Sequence, residues 1–229
     1  MRSEPIGYAN VAEWIRTSKS DVKDLFESYF RKRVGENADE VWHGQHFEWF
    51  ANRVKRDRFT EVDLAAIGAL SVDLKAQTAR ELIEDPDEVL RPLLRECELW
   101  VATHGADISD PNFSSEWLGE ESCFQRLWRE LVRSERIDLG PVKASKLMAA
   151  KYPGLIPIYD SQVDWILKPR GSDLWWLPMR DLVVEVKTEL DDLKLTREDI
   201  HVTTLRKLDV VLWMEARKRL KSSASAEEK

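Results

Sequence analysis

The residues with the most chemical potential lie between positions 137 and 163. Gly140-Pro141 is a turn signal, and a helical pattern carrying Val142, Lys143, Ala144, Ser145, Lys146, Leu147 and Met148 follows it. A helix that starts after a glycine turn leaves its first backbone N–H groups unpaired, which makes a generic site for a phosphate or another anion. Lys143 and Lys146 stand one helical turn apart and add positive charge there. Asp160 heads the next helical pattern, where its carboxylate is suited to cap backbone N–H groups. Facing a pocket and partly desolvated, the same carboxylate could act as a general base or as an electrostatic stabiliser. Tyr159 beside it offers a ring for packing and a hydroxyl for water. Each residue also has a plain structural role open to it. Asp160 could be a cap alone, Gly140 a hinge between helices, and the two lysines a solvated helix face.

Ten tryptophans are present, most of them within apolar helical stripes, where they belong to the core. Trp175 and Trp176 are adjacent. Neighbours on a helix diverge by ~100°, so both rings cannot share one buried face. One of the two is a candidate pocket wall, partner surface or base-stacking platform. Basic runs at 53–58 and 217–221 could contact phosphates, or could be solvated helix ends. His43 and His46 have metal-capable spacing, but two ligands do not make a site and no H-E-x-x-H arrangement exists, so no metal is expected. There is no P-loop, dinucleotide fingerprint or G-x-S-x-G, and no cofactor is expected.

The segment from Arg136 to Ala144, with Asp160-Ser161-Gln162-Val163 after it, resembles the helix-hairpin-helix motif of the base-excision DNA glycosylase superfamily. The resemblance implies that backbone N–H groups of the turn hold a DNA phosphate and that Asp160 assists displacement of a base. Asp138 stands where that family has the first glycine of its hairpin, and Val142 where some members carry a nucleophilic lysine. A lyase-type Schiff base is therefore not implied, although Lys143 is next to that position. The core from Ala144 to Asp160, with Leu208-Asp209-Val210-Val211-Leu212-Trp213-Met214, also resembles an uncharacterised bacterial family of helical proteins, which implies no activity.

The elements that must position these residues read as helices nearly throughout. Apolar residues recur at i, i+3 and i+4 in Val22, Leu25, Phe26, Tyr29 and Phe30, and again in Phe124, Leu127, Trp128 and Leu131. Helical patterns cover 10–17, 20–33, 42–55, 76–83, 121–133, 140–151, 160–167 and 173–190, and a last one runs to about 220. Thr60-Glu61-Val62-Asp63 predicts a capping box with Asp at its third position. Asp85-Pro86 predicts a cap with proline at the first helical position, and Pro92 an interruption. Residues 103–115 predict a loop, 155–158 an extended connector, and 222–229 a disordered polar tail.

The expected fold class is all-α: one multi-helix domain over 1–221, with sub-layers 1–102 and 116–221 and a helix-hairpin-helix-like unit. A net charge of -7 excludes an overall basic nucleic-acid binder, so DNA would have to be held by a local patch. Cys97 and Cys123 are too few for a disulfide scaffold, and no apolar run approaches a membrane span, so a cytoplasmic protein is expected. Three functions fit these features. The first is nucleic-acid-associated binding through Gly140, Lys143 and Lys146. The second is an N-glycosidase-type enzyme using Asp160 at the floor of an aromatic-walled pocket. The third is a protein-interaction module using Trp175 or Trp176. Oligomeric state is left open.

Overall fold

The computed structural model describes residues 4–31, 43–135, 137, 139–168, 176–195 and 199–227. Within them the chain forms α1 (Tyr8–Thr17), α2 (Lys19–Phe30), α3 (Phe47–Ala51), α4 (Glu61–Ala69), α5 (Ala76–Glu84), α6 (Leu90–His104), α7 (Cys123–Arg133), α8 (Pro141–Lys151), α9 (Ser161–Leu167), α10 (Trp176–Glu185), α11 (Lys187–Asp191) and α12 (Thr204–Glu227). Single 3-10 turns occupy His43–His46 and Ser115–Leu118. No strand occurs among the described residues, so the fold class is all-α.

The helix starts follow local chemistry. At α4 the backbone N–H of Thr60 donates to Asp63 Oδ2 at 2.7 Å while the Thr60 side chain serves the Asp63 backbone, the reciprocal box the sequence predicts. Ser122 caps α7 by accepting from the Gln125 backbone N–H at 3.1 Å. Asp160 caps α9 by accepting from the Gln162 backbone N–H at 3.0 Å. Pro141 opens α8, where a missing N–H costs nothing.

Other boundaries differ from expectation for physical reasons. Asp85 does not sit directly before a helix. Its carboxylate reaches past a turn and accepts from the backbone N–H groups of Val89, Leu90 and Arg91, so α6 begins at Leu90. Pro92 is then the third residue of α6, within the first turn, where it removes no helical hydrogen bond. The predicted helix over 42–55 contracts to the 3-10 turn and α3, and that over 173–190 is divided at Val186 into α10 and α11. The expected disordered tail is helical through Glu227. Ser222 and Ser223 donate their hydroxyls to the carbonyls of Lys218 and Arg219, which satisfies them along the helix.

One contiguous apolar cluster runs from Val11 to Ala216. α12 is its axis. Leu205, Leu208, Val210, Val211, Leu212 and Ala216 are all buried, so the helix is enclosed on most sides by α2, α9, α10 and α11. A smaller cluster of Phe47, Ala51, Ala66, Ala149, Ala150 and Ile158 joins α3, α4 and α8. Small residues on α8 and α4 bring these helices close together. The space between this group and α12 is where polar side chains collect.

Candidate functional site

α12 buries more than apolar groups. Arg206, Asp209 and Glu215 are each at least nine-tenths hidden from solvent. Arg206, Asp209, Trp213 and Arg217 fall at i, i+3, i+7 and i+11, which aligns them along one face. Burying a charge demands partners, and Arg206 has several. Its Nε donates to Glu48 Oε1 at 2.7 Å, its Nη2 to the Tyr29 hydroxyl oxygen at 2.7 Å, and its Nη1 to Asp209 Oδ2. The guanidinium also lies over the rings of Tyr29 and Phe47. α2, α3 and α12 are thus pinned at one cation.

Asp209 is satisfied on one side only. Oδ2 holds Arg206, while Oδ1 is buried and has no hydrogen-bond partner among the described residues. Burial pushes the Asp209 carboxyl up to about 6. Arg206 opposes that rise, the charge of Asp160 adds to it, and Lys146 opposes it.

These groups line a cleft of about 260 Å³ bounded by Tyr29, Gly44, Ala69, Leu70, Ser71, Lys146, Ile158, Asp160, Arg206, Asp209, Trp213 and Arg217. Tyr29 and Trp213 meet edge to face, with centroids 6.0 Å apart, and give it an aromatic wall. Arg217 lies over the Trp213 ring and also borders a neighbouring groove with Lys218 and Lys221. Gly44 is required by a close approach: a Cβ there would stand 2.2 Å from the Tyr29 hydroxyl oxygen.

The residues singled out in the sequence divide. Asp160 is both a cap and a cleft residue: Oδ1 caps α9, while Oδ2 lies 3.2 Å from Lys146 Nζ. Lys146 is not on a solvated face. It is buried, lines the cleft and also donates to the Leu70 carbonyl at 3.2 Å. Lys143 instead donates to the Asp73 carbonyl at 2.7 Å, outside the cleft. Gly140 is exposed, has an ordinary φ of -72° and would place a Cβ in open space, so neither strain nor packing demands glycine there. Tyr159 is half-buried and does not line the cleft. Its backbone N–H donates to Ser145 Oγ at 2.9 Å, and burial, with Asp164, raises its phenol above the usual value.

Trp176 is buried edge to face against Trp128, so it cannot form a partner surface or a stacking platform. Trp175, Arg136 and Asp138 lie outside the described residues. His46 is exposed, and no metal-capable group of three side chains occurs among the described residues. No helix of the described residues is long and apolar enough to cross a membrane.

Tyr29, Glu48, Arg206, Asp209 and Trp213 are not among the site residues the sequence points to, whereas Arg217 belongs to the basic run at 217–221. The available signal for Arg206, Asp209 and Trp213 is their i, i+3, i+7 spacing along one face of the terminal helix. Tyr29 was hidden by its place in an apolar stripe.

The profile of a family of unknown function (DUF6308) matches residues 22–216, which span every cleft residue except Arg217. The chain belongs to this family. Its unknown function means that membership in DUF6308 assigns no chemistry, so the geometry of the cleft has to carry any functional argument. Neither a search of curated proteins nor one of solved structures found a match.

Proposed function

We propose that this protein is nucleic-acid-associated, of glycosylase-like ancestry, and that its cleft is an N-glycosidase-type site using Asp160. One observation carries the reading: Asp160 stands in a cleft walled by Tyr29 and Trp213, the arrangement an extruded base would need. In this reading the base lies against the aromatic wall. The Asp160 carboxylate faces the sugar and stabilises the positive charge that develops there as the C–N bond breaks. Water adds to the anomeric carbon, and the base departs with a proton. Lys146 fixes the carboxylate in place.

The same reading gives the open α8 N-terminus and the basic end of α12 their parts. Gly140 leaves the first turn of α8 accessible, Arg217 borders the cleft, and Lys218 and Lys221 line the neighbouring groove that Arg217 shares. Both are suited to backbone phosphates. The protein-interaction reading loses its described feature with the burial of Trp176.

The test is release of free base from single- and double-stranded oligonucleotides carrying adenine, cytosine, hypoxanthine or uracil, beside a gel-shift series at rising salt. Release by the wild-type protein and its loss in Asp160→Asn are the expected results. Asn caps a helix about as well as Asp, so this variant should keep its fold. Full activity in Asp160→Asn eliminates the catalytic role. Absence of both base release and low-salt binding overturns the whole reading.

A further inference from the structure

Among the residues that line the cleft, Asp209 carries a polar atom whose chemistry is unspent. Asp209 is about nineteen-twentieths buried, with its side chain 4% exposed, and only its Oδ2 is engaged. The other oxygen has no partner among the described residues, yet the residue lines the cleft. A buried carboxyl oxygen left unmade costs free energy, and a native fold retains such a group when something else satisfies it. Arg206, held in turn by Glu48 and Tyr29, prevents Asp209 from turning its free oxygen elsewhere.

We propose that Asp209 Oδ1 reads the edge of a base bound in this cleft and selects bases in which an amino group adjoins a ring-nitrogen acceptor, as in adenine and cytosine. The inference rests on the base-binding reading above and names its substrate class.

The argument is one of donors and acceptors. Asp209 is raised only to about 6, so near neutral pH most of it is carboxylate and accepts hydrogen bonds without donating any. An amino N–H is its proper partner. Lys146 lies close enough for its charge to favour the Asp209 carboxylate. Its ammonium has three N–H bonds, of which two are directed to Leu70 and Asp160. The third is available to a ring nitrogen beside the amino group. Hypoxanthine and uracil place a carbonyl where adenine and cytosine place the amino group, so an acceptor would meet an acceptor. A site built around a buried polar group rejects a partner that cannot satisfy it far more strongly than an apolar pocket rejects a change of size.

Equilibrium binding of the free bases to the full-length chain at pH 7.5 tests this without turnover. Adenine should bind at least about tenfold more tightly than hypoxanthine, and cytosine than uracil. Asp209→Asn, which carries both a donor and an acceptor, should bring each ratio close to one. Equal affinity of the wild-type protein within each pair, or an unchanged ratio in Asp209→Asn, overturns the assignment. The wild-type ratios decide even if the Asp209 variant fails to fold. Selective binding without base release would refute the hydrolytic reading and leave the assignment to Asp209 standing. Base release that does not discriminate within the pairs would do the reverse. Neither binding nor release would overturn both.

Discussion

Lys146 Nζ lies 3.2 Å from Asp160 Oδ2, and the pair joins the second turn of α8 to the cap of α9. The two side chains are 9% and 16% exposed, so the ion pair is largely withdrawn from solvent. Lys146→Met removes the ammonium and keeps much of the side-chain volume. It leaves Asp160 and the Leu70 carbonyl short of a partner, and urea denaturation should register a loss of about 1–3 kcal/mol. Base release should fall as it does in Asp160→Asn. Unchanged stability would mean that the pair does not hold the two helices together.

Asp209 should make stability depend on pH in a defined direction. Its carboxyl is raised from an ordinary value of 3.8 to about 6, so the fold favours the protonated form. The stability contributed by that proton is complete below about 4 and is lost as pH rises through about 6. Asp209→Asn cannot titrate. Denaturation midpoints measured from pH 4 to pH 8 should move in the variant's favour by about 3 kcal/mol over this range. A constant difference between the two proteins would show that Asp209 is an ordinary carboxylate.

A second buried ion pair should matter to folding and leave the cleft untouched. Lys151 Nζ is 2.7 Å from Asp63 Oδ1, both side chains are wholly buried, and Lys151 also donates to the carbonyls of Lys55 and Arg58. Burial pushes the Asp63 carboxyl up and the Lys151 ammonium down, so each depends on the other to remain charged. Lys151→Met strands Asp63 and should cost about 3–5 kcal/mol in chemical denaturation. A loss below 1 kcal/mol would contradict this account.

Gly44 and Tyr29 should prove energetically coupled. Gly44→Ala would drive a methyl group against a hydroxyl that Arg206 already holds, and should cost about 1–3 kcal/mol. Tyr29→Phe removes the oxygen in the way. The double variant should therefore recover part of the loss from Gly44→Ala, which a double-mutant cycle measures. Strict additivity would mean that the 3-10 turn shifts aside freely.

The helical class was legible because the apolar spacing of Val22–Phe30 and Phe124–Leu131 has the period of a helix, and α2 and α7 carry those residues into the core. Caps that close within three residues, at Thr60 and Asp160, could also be read. Asp85 could not, because its carboxylate skips a turn to reach α6. For the cleft, Asp160 and Lys146 were accessible because both lie within one motif-sized stretch. Arg206, Glu48 and Tyr29 were not, since 158 residues separate Arg206 from Glu48 and 177 separate it from Tyr29. No local pattern reveals that a tyrosine on one apolar stripe meets an arginine at the far end of the chain.

α12 has a consequence for how this wall of the cleft would meet a guest. From Arg206 to Arg217 the cleft side chains span about 16 Å along a single helix whose opposite faces are locked in the interior. That wall behaves as a fixed ruler, with an ionic end, an aromatic middle and a cationic outlet at unchanging intervals. A guest must conform to those intervals. Accommodation falls to the walls off α12, among them the turn at Leu70 and Ser71, so loosening that turn would broaden the range of guests without disturbing the ruler.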